Sequence, residues 1–255
     1  AIKGMARALK HKGRHIVTSS FEHPAILEVC RALASEGFET TCVAVDGQGM
    51  LDPLEVERAI RPDTILITVM HANNEVGTVQ PIAAIAALAK ARGIVLHTDA
   101  AQSLGKIPVD VAALGVDLLS VAGHKLYAPK GIGALYVRQG LQPEKFCHGA
   151  GQEKGWRAGT ENVLEMVGLG KACEIAGRDL AANAVHMLPM PLIYRPCATG
   201  CTRASSDDWT TYASTATPTG VCPIASALHS RVWPPTACSK RSAWRSPPRP
   251  ALPAM

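Results

Sequence analysis

Three short segments carry side chains that could do chemistry together: His97-Thr-Asp-Ala-Ala-Gln102, Ser120-Val-Ala-Gly-His-Lys125 and Pro129-Lys-Gly-Ile-Gly133. Asp99 follows the apolar run Ile94-Val-Leu96. It therefore falls where a buried strand ends, the edge at which open α/β sheets offer groups to ligands. Lys125 follows a second, mostly apolar stretch, Val116 to Val121, which closes on Ala122 and Gly123. Two neighbouring strand ends would then present a carboxylate and an amine to one crevice. That pair suits pyridoxal phosphate, whose aldehyde takes a lysine as a Schiff base and whose ring nitrogen needs an acid beside it to stay protonated and withdraw electrons. Taken singly, a strand-end Asp reads equally as a helix cap and a lone Lys as a solvated charge; the set Asp99, Gln102, His124 and Lys125 is what carries the signal.

Alternating strands and helices are needed to bring these segments together, and the sequence supplies them. Strands are expected at 15–19, 40–45, 65–70, 94–98, 116–121 and 134–137. Between them, a helix over 24–36 has Pro24 in its first turn, apolar Ile26, Leu27, Cys30 and Leu33, and a stop at Gly37. The next opens at Asp52-Pro53-Leu54-Glu55, with Asp as N-cap and Glu55 placed for a capping box. An Ala-rich helix runs from Pro81 to Gly93, and another spans 161–180. Strands apolar on both faces predict a mainly parallel sheet covered by helices, an α/β fold.

Composition narrows the function classes. The chain has 255 residues, 47% of them hydrophobic, and no apolar run reaches the roughly 18 residues of a membrane span. It opens on Ala rather than Met and shows no signal peptide, which points to a start upstream of residue 1. The formal charge is +5, but its excess comes from the C-terminal region and no basic cluster interleaves with aromatics, so neither nucleic acid nor membrane is expected as a partner. Eight cysteines include no C-x-x-C pair, and Cys30, Cys42, Cys147 and Cys173 fall in segments typical of a cytoplasmic α/β protein with reduced thiols. A G-x-G-x-x-G turn, a P-loop and a G-x-S-x-G elbow are all missing. Only His11 and His15 are spaced by four, with Gly13 between them, so no metal site is expected.

The character of the chain changes near Met187. Eleven of the 18 prolines, three of the four tryptophans and half the cysteines lie beyond it, with Asp207 and Asp208 as the only acids and no surviving periodicity. The expected organisation is thus one unit over 1–187 followed by an atypical Pro-, Ser-, Thr- and Arg-rich tail over 188–255. Such a tail reads as translation of a GC-rich coding region out of frame, or else as a disordered extension.

Residues 1–187 resemble the cysteine desulfurases, the NifS-like branch of the class V aminotransferase-like enzymes that use pyridoxal phosphate. The resemblance rests on Glu22-His23, Met70-His-Ala-Asn-Asn-Glu-Val-Gly77, His97-Thr-Asp-Ala-Ala-Gln-Ser-Leu-Gly-Lys106, Gly123-His-Lys-Leu-Tyr-Ala-Pro-Lys-Gly-Ile-Gly-Ala-Leu-Tyr136 and Arg157-Ala-Gly-Thr-Glu-Asn162. It implies the large domain of a type I pyridoxal-phosphate enzyme. Lys125 would hold the cofactor as a Schiff base and Asp99 would pair with its ring nitrogen. Gln102 and Asn74 would bond the phenolic oxygen. His23 would stack on the ring face and serve the chemistry with Lys125. His124 would contact the phosphate, and Thr160 would reach the phosphate of a neighbouring subunit, which implies a homodimer. Considered without the rest, His23 is a helix-entry residue and Asn73-Asn74 a strand-end turn.

The resemblance also implies the reaction: L-cysteine to L-alanine, with sulfur carried as an enzyme persulfide to an iron–sulfur scaffold or another acceptor. Selenocysteine lyase and other class V lyases share these motifs. Three departures stand out. Ala122 occupies the position two before His124-Lys125 where the family has a phosphate-binding Ser. The family's N-terminal Gly-Thr phosphate turn is not matched, and neither are the persulfide-forming Cys and the Arg that clamps the substrate carboxylate. This chain is therefore expected not to desulfurise cysteine, and to act, if at all, as a cofactor-binding or partner-binding fragment.

Overall fold

The apolar runs become six strands of one sheet: β1 His15–Ser19, β2 Glu39–Val43, β3 Thr64–Met70, β4 Val95–Asp99, β5 Leu118–Ala122 and β6 Gly133–Val137. The computed structural model describes residues 1–187, so the tail at 188–255 and the expectations placed on it lie outside the described residues. The spatial order is β2-β1-β3-β4-β5-β6. Every neighbouring pair is parallel except β5 and β6, which run antiparallel. This is the mainly parallel sheet that the alternation of apolar strands and helices predicts.

Successive residues of a strand face opposite sides of a sheet, and here both sides are covered. Val17, Ile67, Leu96 and Leu119 point to one face, under Val56 of helix α3 (Pro53–Ala59) and Ile82, Ile85 and Ala89 of α4 (Ile82–Ala91). Ile16, Leu66, Val95 and Leu118 point to the other, against Ile2, Met5 and Ala6 of α1 (Ile2–Leu9) and Ile26, Cys30 and Leu33 of α2 (Pro24–Ala34). A one-turn helix, α5 (Val111–Leu114), precedes β5, and α6 (Val163–Met187) packs Ala172 against Leu126 and Ala128.

Several local expectations need correction. The two edge strands are not covered on both faces: Glu39 and Cys42 of β2 are exposed, as is the apolar Leu135 of β6. The capping box at α3 does not form. Asp52 Oδ1 accepts from the Leu54 amide at 2.8 Å, but the Glu55 carboxylate turns to Arg58 instead of back to residue 52. Helix α6 runs on to Met187, and α1 and α5 were not anticipated.

Polar groups inside the sheet are matched across strands. His15 is buried between the hydroxyls of Thr64 (2.7 Å) and Thr41 (2.8 Å). His97 likewise sits between Thr68 Oγ1 (2.8 Å) and Ser120 Oγ (2.9 Å), linking β3, β4 and β5. Cys30, Cys42, Cys147 and Cys173 are all free thiols. Among the described residues no helix is long and apolar enough to cross a membrane.

Candidate active site

The order β2-β1-β3 means that the chain leaves β1 toward one edge and then crosses back to β3. Such a reversal opens a crevice at the carboxyl ends of the strands. A cleft of about 440 Å³ lies there, and its lining includes His23, Asn74, Asp99, Gln102, His124 and Lys125. Six of the seven sequence-predicted site residues are thus brought to one wall. Thr160 is not among them; it is exposed on the loop that enters α6.

Each side chain is set by its own element. Asp99 is the last residue of β4; its Oδ1 accepts from the Ala101 amide at 2.9 Å, and Oδ2 has no hydrogen-bond partner among the described residues. Burial pushes this carboxyl above the usual Asp range. It is a carboxylate that a cation in the cleft would relieve. Lys125 lies half-buried in the 3-10 turn Gly123–Leu126 directly after β5. That turn is tied to the start of β6 by the Gly123 amide on Ile132 O at 3.0 Å and pinned from below by buried Leu126. His124, its neighbour, is exposed at the rim.

The helix-entry reading of His23 also holds. Its Nδ1 accepts from the Ala25 amide at 3.1 Å, capping α2 while its ring lines the cleft. The two asparagines after β3 divide their work. Asn73 builds the turn, accepting from the amides of Glu75 (2.7 Å) and Val76 (3.0 Å), which leaves Asn74 on the cleft. Ala122 lines the cleft without a hydroxyl, and the nearby Ser120 Oγ is bonded to His97 Nε2 at 2.9 Å. His97 is itself fully buried, and desolvation pushes it down to about 3, so it stays neutral.

Two buried charged neighbours of the cleft residues were not singled out from the sequence. Glu22 is buried beside His23, accepting from Ser19 Oγ at 2.7 Å and from the Met70 amide at 2.9 and 3.1 Å. Met70 is the ladder partner of Asp99, so this second carboxylate lies just behind the first. Burial pushes Glu22 up to about 7, and the Asp99 charge adds to the effect. Lys106 is buried too, and its Nζ donates to Gln102 Oε1 at 2.8 Å. A spacing of four between Gln102 and Lys106 was the available signal.

A larger groove of about 640 Å³ borders the 44–55 loop, but its acids are already used. Asp46 holds the amides of Gln48 and Met50, Asp52 caps α3, and Glu55 pairs with Arg58. It offers no lysine, so the smaller cleft is the candidate site.

Comparison with known proteins agrees with this geometry. The profile of the Aminotransferase class-V family matches residues 1–188. Cysteine desulfurase IscS of Dictyoglomus turgidum is 54% identical over 176 residues, which cover 69% of this chain and 45% of that protein. Cysteine desulfurase IscS of Methanosarcina thermophila is 53% identical over 190 residues, covering 74% and 47%. A solved structure described as SspA in complex with cysteine superposes with a TM-score of 0.66 at 47% identity, over 68% of this chain and 50% of that one. A NifS-like protein superposes with a TM-score of 0.70 at 40% identity, over 73% and 52%. The chain spans about half the length of the curated relatives it matches. With its strand order, its strand-end Asp99 and Lys125 and this profile match in hand, the chain belongs to the class V aminotransferase family, in the branch that holds the cysteine desulfurases.

Proposed function

We propose that residues 1–187 are the pyridoxal-phosphate-binding portion of a cysteine desulfurase. The observation that carries this reading is the pairing of Lys125 and the partly unpartnered, half-buried Asp99 carboxylate in one cleft. The donor set fits the cofactor: an amine for its aldehyde, a carboxylate for its ring nitrogen, and an amide at Gln102 for its ring oxygen. When bound, pyridoxal phosphate supplies an electron sink for negative charge developing on the substrate.

This chain's own residues do the rest. Lys125 Nζ would hold the cofactor's aldehyde, and its amine is the group in the cleft that could carry a proton. Asp99 would hold the ring nitrogen and keep its proton in place. His23, fixed by its capping bond to the Ala25 amide, would stack against the ring, and Asn74 and Gln102 would bond its ring oxygen. His124 meets the phosphate at the rim, where Ala122 supplies no hydroxyl.

L-Cysteine is the proposed substrate, in keeping with the relatives' names and with a neighbour whose structure is described as a complex with cysteine. The sulfur acceptor would be an iron–sulfur scaffold or a similar protein in the cytoplasm. Thr160 belongs to a second copy's phosphate site in a homodimer. The motifs of residues 1–187 do not include the family's persulfide-forming Cys or its substrate-clamping Arg, so we expect cofactor binding without sulfide release, residues 188–255 forming an unrelated extension.

The test is spectroscopic. The purified chain, incubated with pyridoxal phosphate and freed of excess, should show a visible absorption band. Borohydride reduction and peptide mapping should place the label on Lys125, and Lys125→Ala should remain colourless. A colourless wild-type chain, or a label spread over surface lysines, would sink the reading. Sulfide released from L-cysteine at a rate proportional to bound cofactor would overturn the expectation of inactivity.

A further inference from the structure

Gln102 and Lys106 occupy the turn that carries the chain away from Asp99. The turn is wound tightly, with the Ser103 amide on Ala100 O at 3.1 Å and the Lys106 amide on Ser103 O at 3.0 Å. It is also tied back to the end of β3, where His71 Nδ1 meets Ser103 Oγ at 2.9 Å. Both side chains are buried, Gln102 at 5% and Lys106 at 8% exposure, and Lys106 Nζ lies 2.8 Å from Gln102 Oε1.

The chemistry of the two groups removes an ambiguity. A carboxamide has an accepting end and a donating end of almost the same shape, and it can present either one to a ligand. An ammonium has donors only. The end of Gln102 that faces Lys106 must therefore be its carbonyl oxygen, and a flip would set N–H groups against N–H groups in a buried place. Nε2 is what remains for the cleft that Gln102 lines. A cation behind the carbonyl also polarises the amide, which makes Nε2 a stronger donor.

We propose that Lys106 is a positioning residue that locks Gln102 as a hydrogen-bond donor, so that the cleft selects a ring bearing an oxyanion or hydroxyl at that edge. The proposal rests on the cofactor reading above and adds to it the group that decides which end of Gln102 the cofactor meets. It places the specificity for the ring oxygen in a residue that does not touch the ligand.

The full chain is titrated with pyridoxal phosphate and with its analogue lacking the ring hydroxyl, both followed by absorbance. Wild type should prefer pyridoxal phosphate, by about tenfold for one well-placed hydrogen bond to a charged oxygen. In Lys106→Gln, a neutral side chain that can donate or accept, Gln102 is free to turn over. That preference should fall to near unity while the analogue binds as before. Lys106→Arg, again donors only, should keep the preference. Gln102→Leu should remove the preference as well, and Lys106→Met, which also leaves Gln102 without a fixed cation, serves in place of Lys106→Gln if the latter does not fold. A purely structural Lys106 would weaken both ligands equally in Lys106→Gln, and that result overturns the proposal while leaving the cofactor reading intact. Failure of wild type to bind either ligand overturns the cofactor reading, and this inference with it.

Discussion

Burial acts in opposite senses on Glu22, bonded to the Met70 amide at the end of β3, and on His97 of β4. An unfolded glutamate releases its proton near 4.5, and folded Glu22 holds it to about 7. Its contribution to stability is complete below about 4.5 and is lost as pH rises through about 7. An unfolded histidine takes up a proton near 6.5, whereas folded His97 resists until about 3. Its contribution is complete above about 6.5 and is lost as pH falls toward 3. Burial lowers His15 and His71 too, and both add to the sense of His97. Asp99 and Cys30 are coupled electrostatically to Glu22, and burial raises the pKa of all three. In Glu22→Gln the stabilising protonation disappears. Urea unfolding at pH 5, 6 and 7 should then show stability falling faster on acidification than in wild type, by about 1.4 kcal/mol per pH unit. His97→Gln should change the slope in the opposite direction. The offset at any one pH also reflects altered hydrogen bonds, so the slope is the measurement. Parallel curves for Glu22→Gln and wild type would show that Glu22 does not titrate in this window.

At the level of elements, Lys125 is placed by a close approach of two backbones. A Cβ on Gly123 would stand 2.6 Å from Ile132 O, and one on Gly133 would stand 2.5 Å from Val121 O. Gly123→Ala must push the turn away from β6, at a cost of about 1–3 kcal/mol, and should carry Lys125 off its position. Cofactor-dependent absorbance should drop several-fold while the far-ultraviolet circular dichroism stays unchanged. Gly170→Ala, on α6 with nothing within 4 Å, is the control and should raise the melting temperature slightly. Unchanged cofactor binding in Gly123→Ala would mean that the turn tolerates the shift. These two glycines illustrate what the sequence could and could not reveal. Strand ends were legible because apolar runs stop sharply at Asp99 and at Ala122-Gly123, and the site residues follow directly from them. Helix α1 was not, because its Gly4 lowers helical propensity and acquires a reason only in three dimensions, where its carbonyl meets the Glu144 amide at 2.9 Å and a Cβ would strike Glu144 O at 2.6 Å. Glu22 and Lys106 were quoted within motifs but given no task, since the meaning of a buried charge depends on the partner folded against it.

The whole molecule presents α6 with two different faces. Its inner side holds the lysine turn: Gly168 lies against Pro129, and Ala172 and Ala176 pack on Leu126. Its outer side begins with Val163 at 62%, Leu164 at 87% and Val167 at 67% exposure. Thr160, the residue proposed to reach a second copy's phosphate, lies on the loop that leads into this same turn. An apolar first turn continuous with Thr160 is what a pairing face between two copies requires. Leu164→Glu combined with Val167→Glu should therefore halve the mass seen by light scattering, from about twice 26.9 kDa to a single chain. The cofactor site makes the sharper measurement. Thr160→Ala should weaken pyridoxal-phosphate binding severalfold in the pairing-competent chain and have no further effect in the double variant, because in a lone copy Thr160 contacts no phosphate. An equal loss in both backgrounds would place Thr160 in its own chain's site, and the cleft would then be complete without a second copy.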